Sequence, residues 1–318
     1  MQNWEKSAST SQRFDIFLFD AFSNHCLANT VEPLRAANTL AGRVLYEWRF
    51  CTTQGDPVFS SSGLKVTPHH ALAAAQGGTL VLMPSYGVRR LPARPLARAL
   101  LGVAARYDSL AGFDTGSWLL AQAGLLDGYT ATIHWDETTA FAERFPEVDV
   151  VRERFVVDRD RITCSGAMAA FDLIIHLIAR DHGPLLAMDV AHLFMSRDAV
   201  NRPLRLASGG DKTVNKALAL MQRTVDAPLK IPELARSIGC SQKTLEQRMA
   251  AALNATPQAV YRRLRLTQAR QLVADTDVPI FEIAQRCGYD NASAMTRAFR
   301  AQFGQTPRGI RNAQSRPF

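Results

Sequence analysis

The sequence predicts an α/β domain, a doubly wound and mostly parallel sheet, followed by an all-α domain of two helix-turn-helix units. Three observations carry this. Through the first 194 residues short apolar runs alternate with amphipathic segments, the pattern of a parallel sheet covered by helices on both faces. From Ile231 to Arg311 one small unit is written twice. The charge divides with these two patterns: residues 1–211 hold 20 basic and 22 acidic residues, a net of −2, and residues 212–318 hold 17 and 7, a net of +10. An excess confined to the repeat-bearing part is the footprint of a polyanion-binding module attached to something else. The expected organisation is a ligand-sensing domain over 12–196, a linker over 197–211 that contains NRP and SGGD, and a DNA-binding domain over 212–318.

In chain order, Arg13–Phe19 (RFDIFLF) reads as a buried strand, TVEPLRAANTLAG as a helix and YEWRFCTTQG as a second strand. SSGLKVTP suggests a short edge strand, and Thr79–Ser85 (TLVLMPS) a central one. A helix around Arg94–Tyr107 leads to the strand SLAGFD and the helix SWLLAQAGLL, which Gly128 ends. YTATIHW, the helix ETTAFAERF and the strand region VDVVRERFVVDRDRITCSG complete the sheet, and helices over Ala167–Ala179 and Leu185–Phe194 close the domain.

The repeat separates inside from outside. Glu233, Ala235 and Gly239 recur 49 residues later as Glu282, Ala284 and Gly288. Leu245, Met249, Leu253 and Thr256-Pro257 recur 50 residues later as Met295, Phe299, Phe303 and Thr306-Pro307. Apolar residues at every fourth position share one stripe of a helix and must face inward. The opposite faces carry Gln242, Lys243, Glu246, Gln247 and Arg248 in one copy, and Asn291, Ser293, Thr296, Arg297 and Arg300 in the other. These side-chain types bond to base edges and phosphates in a major groove, so they are the candidate DNA contacts. Ser241 and Asp290 stand where N-caps belong. Between the copies runs a helix opened by Pro257 that carries Arg262, Arg263, Arg265 and Arg270.

Two helix-turn-helix units joined by RLRLTQAR and followed by IAQRCGY and FGQTPRGIR resemble the AraC/XylS family of transcription regulators over about the last hundred residues. In the first domain, VEPLRAAN, GFDTGSWLL, AGLLDG and TIHW together resemble the class I glutamine-amidotransferase-like superfamily, which implies a flavodoxin-like sheet. Joined to an AraC-type tail, the whole resembles GlxA-type regulators.

GFDTGSWLL is a strand that breaks at Asp114 and enters a helix at once, an elbow that presents its central residue at the carboxyl end of a sheet. In the enzymes of the superfamily that residue is a cysteine, commonly next to a histidine. Here the two positions hold Asp114 and Thr115. Glu32 matches the acidic residue that those enzymes place beside the thiol. Without the thiolate, acyl transfer lacks its nucleophile, so no catalytic residue is expected and an amidase with a DNA-binding tail is the alternative reading. A carboxylate at the elbow favours a cationic guest. Phe22, Tyr86, Trp118 and Trp135, with His134, are the candidate surround, because aromatic faces attract ammonium and guanidinium groups. The resemblance of the elbow points to regulators of betaine, carnitine or arginine catabolism.

The five cysteines are widely spaced, with no CxxC pair, and read as free thiols. The histidines have no metal spacing and there is no phosphate-binding glycine fingerprint, so no metal and no cofactor are expected. With a polar N-terminus and no long apolar run, the expectation is a soluble, cytoplasmic protein free of the membrane. Its expected partners are promoter DNA, a small-molecule effector, RNA polymerase and a second copy of itself. Activation is the sign of regulation that the resemblance implies.

Overall fold

The computed structural model describes residues 11–74, 76–194 and 211–314. Most of the 197–211 linker therefore lies outside the described residues. The elements run β1 (Gln12–Leu18), α1 (Asn24–Ala41), β2 (Tyr46–Thr52), β3 (Val58–Phe59), β4 (Lys65–Val66), β5 (His70–Ala71), β6 (Thr79–Met83), α2 (Ala93–Ala104), β7 (Ser109–Phe113) and α3 (Gly116–Gln122). They continue with β8 (Thr130–Ala131), α4 (Thr138–Arg144), β9 (Asp149–Val150), β10 (Phe155–Asp158), β11 (Arg161–Cys164), α5 (Ala167–His182) and α6 (Pro184–Leu193). The chain divides into two compact units, one of Met1–Thr39 with Arg43–Ile175 and one of Leu40–Gly42 with His176–Phe318.

The first unit is built on a sheet of order β10-β11-β7-β6-β1-β2-β5, parallel throughout except for β10. Its five principal parallel strands, taken in sequence, follow the order 2-1-3-4-5 of a flavodoxin-like sheet, whose switch point falls between β1 and β6. Ile16, Phe17 and Leu18 are all buried, although successive strand residues point to opposite faces, so both faces are covered. On one face Phe17, Leu80, Leu82 and Leu110 pack with Leu96 and Leu100 of α2, Leu119 and Leu120 of α3 and Phe141 of α4.

Three details depart from the sequence expectation. TATI and VDVV do not join the main sheet: β8 and β9 pair only with each other, because the backbone of Thr132 turns to bond Thr163 Oγ1 and Ser117 Oγ. In SSGLKVTP, β4 folds back on β3 as a separate hairpin, and the sheet edge is supplied by His70–Ala71. The last strand region is an antiparallel hairpin, with Arg159 at φ 54° in its turn.

The second unit begins within α5 and contains α7 (Lys212–Arg223), α8 (Ile231–Ser237), α9 (Gln242–Leu253), α10 (Pro257–Asp275), α11 (Ile280–Arg286), α12 (Ala292–Phe303) and α13 (Pro307–Gln314). It has two cores. Val214, Leu218, Met221, Leu234, Leu245, Met249 and Leu253 form the first, and Ile283, Ala284, Met295 and Phe299 form the second. Helix α10 serves both, with Val260, Tyr261 and Leu264 in the first and Leu266, Ala269 and Val273 in the second. The repeated Thr-Pro pair acts the same way twice: Thr256 and Thr306 accept the backbone N–H three residues on, and Pro257 and Pro307 open the helices. Helix α6 corrects the expected boundary at residue 196. Met188 and Leu185 pack into the first helical core, and the Asp189 carboxylate bonds Arg263 (2.6 Å) and Thr267 (3.3 Å) of α10.

Candidate nucleic-acid interface and effector site

Helices α9 and α12 are the second helices of the two helix-turn-helix units. Each first helix ends in a glycine at positive φ, Gly239 at 78° and Gly288 at 69°. The N–H groups of Cys240 and Tyr289 bond back to Ala235 and Ala284, closing each helix end. With Leu245, Met249, Met295 and Phe299 inside, the exposed face of α9 holds Gln242, Lys243, Glu246, Gln247 and Arg248, and that of α12 holds Ser293, Arg297 and Arg300, with Thr296 half-buried. Gln242 donates to Glu246 at 2.7 Å, so this pair presents one joined donor–acceptor edge.

Two of the sequence assignments change. Asn291, and not Asp290, is the N-cap of α12: its Oδ1 accepts the Ala294 N–H at 2.8 Å. That holds the side chain against its own helix. Arg248 is drawn back toward α7 by Thr213 and by Asp211 at 3.4 Å, because Asp211 also caps α7.

The arginines of α10 are mostly engaged within the unit. Arg263 pairs with Asp189. Arg265 donates to the carbonyls of Cys287 (2.7 Å) and Gly288 and lies over the Tyr289 ring at 4.1 Å. One turn earlier, the Tyr261 hydroxyl donates to the Thr224 carbonyl (2.9 Å) and accepts from the Leu229 N–H (3.2 Å). Tyr261 thus holds the connection between α7 and α8, and Arg265 the turn of the second helix-turn-helix unit.

At the carboxyl edge of the first unit's sheet, Asp114 follows β7 with φ 60°, in the left-handed region that non-glycine residues seldom occupy. The flanking glycines make this elbow possible. A Cβ on Gly116 would stand 2.1 Å from the Leu82 carbonyl oxygen, and one on Gly112 2.5 Å from the Ser117 nitrogen. Ser85, just past β6, is also at positive φ, and its hydroxyl bonds the Asp114 carboxylate. The same hydroxyl accepts the Ser23 N–H at 2.9 Å across the switch point, while Thr115 donates to the Ser85 carbonyl at 2.6 Å. The His134 N–H donates to the Asp114 carbonyl at 3.0 Å, and its imidazole acts electrostatically on the carboxylate. Burial, with only 9% of Asp114 exposed, raises its carboxyl above the ordinary range, while His134 and Ser85 oppose that rise.

The seven sequence-predicted effector residues divide. Asp114 and His134 meet. Tyr86 and Trp135 follow Ser85 and His134 directly and are 66% and 75% exposed. Phe22 is wholly buried, since it bridges to Ser60 beneath the surface, and offers no face to a guest. Trp118 packs on Phe141 and Phe145, and its face is already covered by Arg89, which Glu137 holds. Glu32 bonds Arg35 on its own helix at 2.8 Å. Ser85, Ser23 and Thr115 were missed. The signal available was the position of Ser85 at the end of the strand next to β7. The nearby thiols of Cys26 and Cys164 are buried and raised, Cys164 to about 12, so neither supplies a thiolate nucleophile. No group of His, Cys, Asp and Glu among the described residues could hold a metal ion. None of the described helices is long and apolar enough to cross a membrane.

A flavodoxin-like sheet with an aspartate at its elbow, and a pair of helix-turn-helix units on one spacer helix, define a class of two-part DNA-binding regulators. Residues 234–313 match the helix-turn-helix domain family model. The transcriptional regulator GbdR of Pseudomonas aeruginosa is 35% identical over 311 residues, covering 95% of this chain and 85% of its own. A crystal structure of an AraC family transcriptional regulator from Pseudomonas putida matches with TM-score 0.52 and 28% identity, over 58% of this chain and all of that one. A THiJ/PfpI family protein from Pseudomonas syringae shares the fold, with TM-score 0.50 and 18% identity over 79% of this chain and 91% of its own. The chain belongs to the AraC-type transcription regulators that carry an amidotransferase-like first domain, the GlxA type.

Proposed function

We propose that the protein is an effector-responsive regulator, expected to activate transcription, in which a small cationic amine or amino acid binds at Asp114. The observation that carries this reading is the carboxylate itself. It is buried on a strained elbow, held by Ser85 and accompanied by His134, Tyr86 and Trp135. A cation would restore the favourable environment that burial removes from it. The resemblance of the elbow to regulators of betaine, carnitine and arginine catabolism supports the same class. Calorimetry with glycine betaine, dimethylglycine, carnitine and arginine tests the reading, with Asp114→Asn as control. Binding by at least one, lost in the variant, is expected. Absence of all four, or undiminished binding by the variant, refutes the assignment.

On the DNA side, α9 and α12 of one protomer enter successive major grooves about 34 Å apart, and the protein works as a homodimer that engages RNA polymerase. Lys243→Ala and Arg300→Ala weaken operator binding, by about 1–3 kcal/mol where an arginine meets guanine. Footprinting that shows a single protected groove per protomer contradicts this arrangement.

A further inference from the structure

The first unit carries a charge feature that neither the elbow nor the recognition helices use. Between Asp56 and Asp108 there is no acidic residue, while Lys65, Arg89, Arg90, Arg94, Arg98 and Arg106 supply six positive charges. This occurs in a part of the chain whose overall balance is −2. Two of the six are engaged: Arg89 pairs with Glu137, and Arg106 donates to the Ala73 carbonyl. Arg90, Arg94 and Arg98 are exposed, and none makes an ion pair with an acidic side chain among the described residues. Helix α2 buries Leu96, Leu100 and Val103. Its outer face presents Arg94 and Arg98 one turn apart, about 6 Å along the axis, with Arg90 just before the helix.

We propose that this arginine row is an auxiliary contact for the phosphate backbone of DNA flanking the operator. Charge complementarity chooses the occupant. None of the three arginines has an ion-pair partner among the described residues, and the segment that carries them has no acidic residue of its own. Guanidinium groups on long arms match phosphates in charge and geometry. DNA is also the polyanion to which the helix-turn-helix units deliver the chain, and a tethered second site meets its partner at raised effective concentration. The row carries no base readout, so it adds affinity and salt dependence without altering operator choice.

The inference rests on operator binding by the helix-turn-helix units. The test uses the full chain on two duplexes, one trimmed to the operator and one extended by about 21 bp, two helical turns, on each side. Affinity is measured against salt for the parent, for Arg90, Arg94 and Arg98 all changed to Gln, and for the same three changed to Lys. On the extended duplex the Gln variant should show a log–log slope shallower by up to about 2.7, at about 0.9 for each phosphate no longer neutralised. The Lys variant should keep the parental slope, and Arg94→Gln alone should lose about a third of the difference. On the trimmed duplex all variants should behave alike, which verifies the primary interface independently. An unchanged slope on the extended duplex overturns the proposal, whether or not the row binds an acidic protein. An equal change on both duplexes overturns it too, because that is a general field effect.

Discussion

Gly239 and Gly288 occupy the same place in the two repeats, yet the structure gives their replacement very different costs. Both lie at positive φ, so an alanine at either pays roughly 1–2 kcal/mol for the left-handed backbone. Around Gly239 nothing stands within 4 Å of an added Cβ. At Gly288 the Cβ would lie 2.6 Å from both the Val225 carbonyl oxygen and Pro228 Cδ. One is backbone and the other a rigid ring, so neither yields easily, and forced overpacking adds about 1–3 kcal/mol. Gly239→Ala should therefore cost roughly 1–2 kcal/mol and Gly288→Ala about 2–5 kcal/mol. All four tryptophans (Trp4, Trp48, Trp118 and Trp135) precede residue 176. Tryptophan fluorescence therefore follows the first unit, and far-UV dichroism is weighted toward the helical one. In urea titrations of the full chain, Gly288→Ala should move the dichroism midpoint well below that of Gly239→Ala and leave the fluorescence transition in place. In footprints it should lose protection in the groove read by α12 first, since Arg265 grips the Gly288 carbonyl. Equal midpoint losses for the two variants, or a fluorescence transition that moves with Gly288, would show this account of the turn to be wrong.

Two further predictions concern buried charge. Asp114 has its folded-state carboxyl raised by burial, so the folded state binds more protons between the ordinary carboxylate value and the raised one, and stability falls as pH rises through that window. Asp114→Asn should be more stable than the parent near neutrality and converge with it below the ordinary value, by tryptophan fluorescence; a parent more stable at every pH would contradict this. Asp189, 2% exposed and paired with Arg263, should cost about 3–5 kcal/mol on change to Ala, because an unpaired guanidinium remains, whereas Asp189→Leu with Arg263→Met should be near neutral. Dichroism midpoints decide, and equal losses in both would mean the pair does not act through burial of charge.

The helical half was legible because its signals are local and doubled. The two copies repeat their buried stripe, their glycine turn and their Thr-Pro helix start, and each follows from the period of a helix or the φ that a turn demands. The alternation of strands and helices disclosed the parallel sheet, and GFDTGSWLL disclosed the elbow, since the glycines on either side of Asp114 mark a backbone requirement visible in the chain. What the sequence could not supply was the partner of each side chain. Phe22 past a strand end and Trp118 one helical turn beyond Asp114 look as eligible to surround it as Tyr86 and Trp135, but packing buried Phe22 and placed Arg89 over Trp118. The arginines of α10 show no acceptor in the sequence; the fold brings Asp189 to one and the carbonyls of Cys287 and Gly288 to another. Helix α6 reads as the end of the first domain, yet Asp189 and Met188 dock it on the second unit. Local periodicity and backbone chemistry are written along the chain. The pairing of charges and the covering of faces depend on which distant residues meet, and only the tertiary structure decides that.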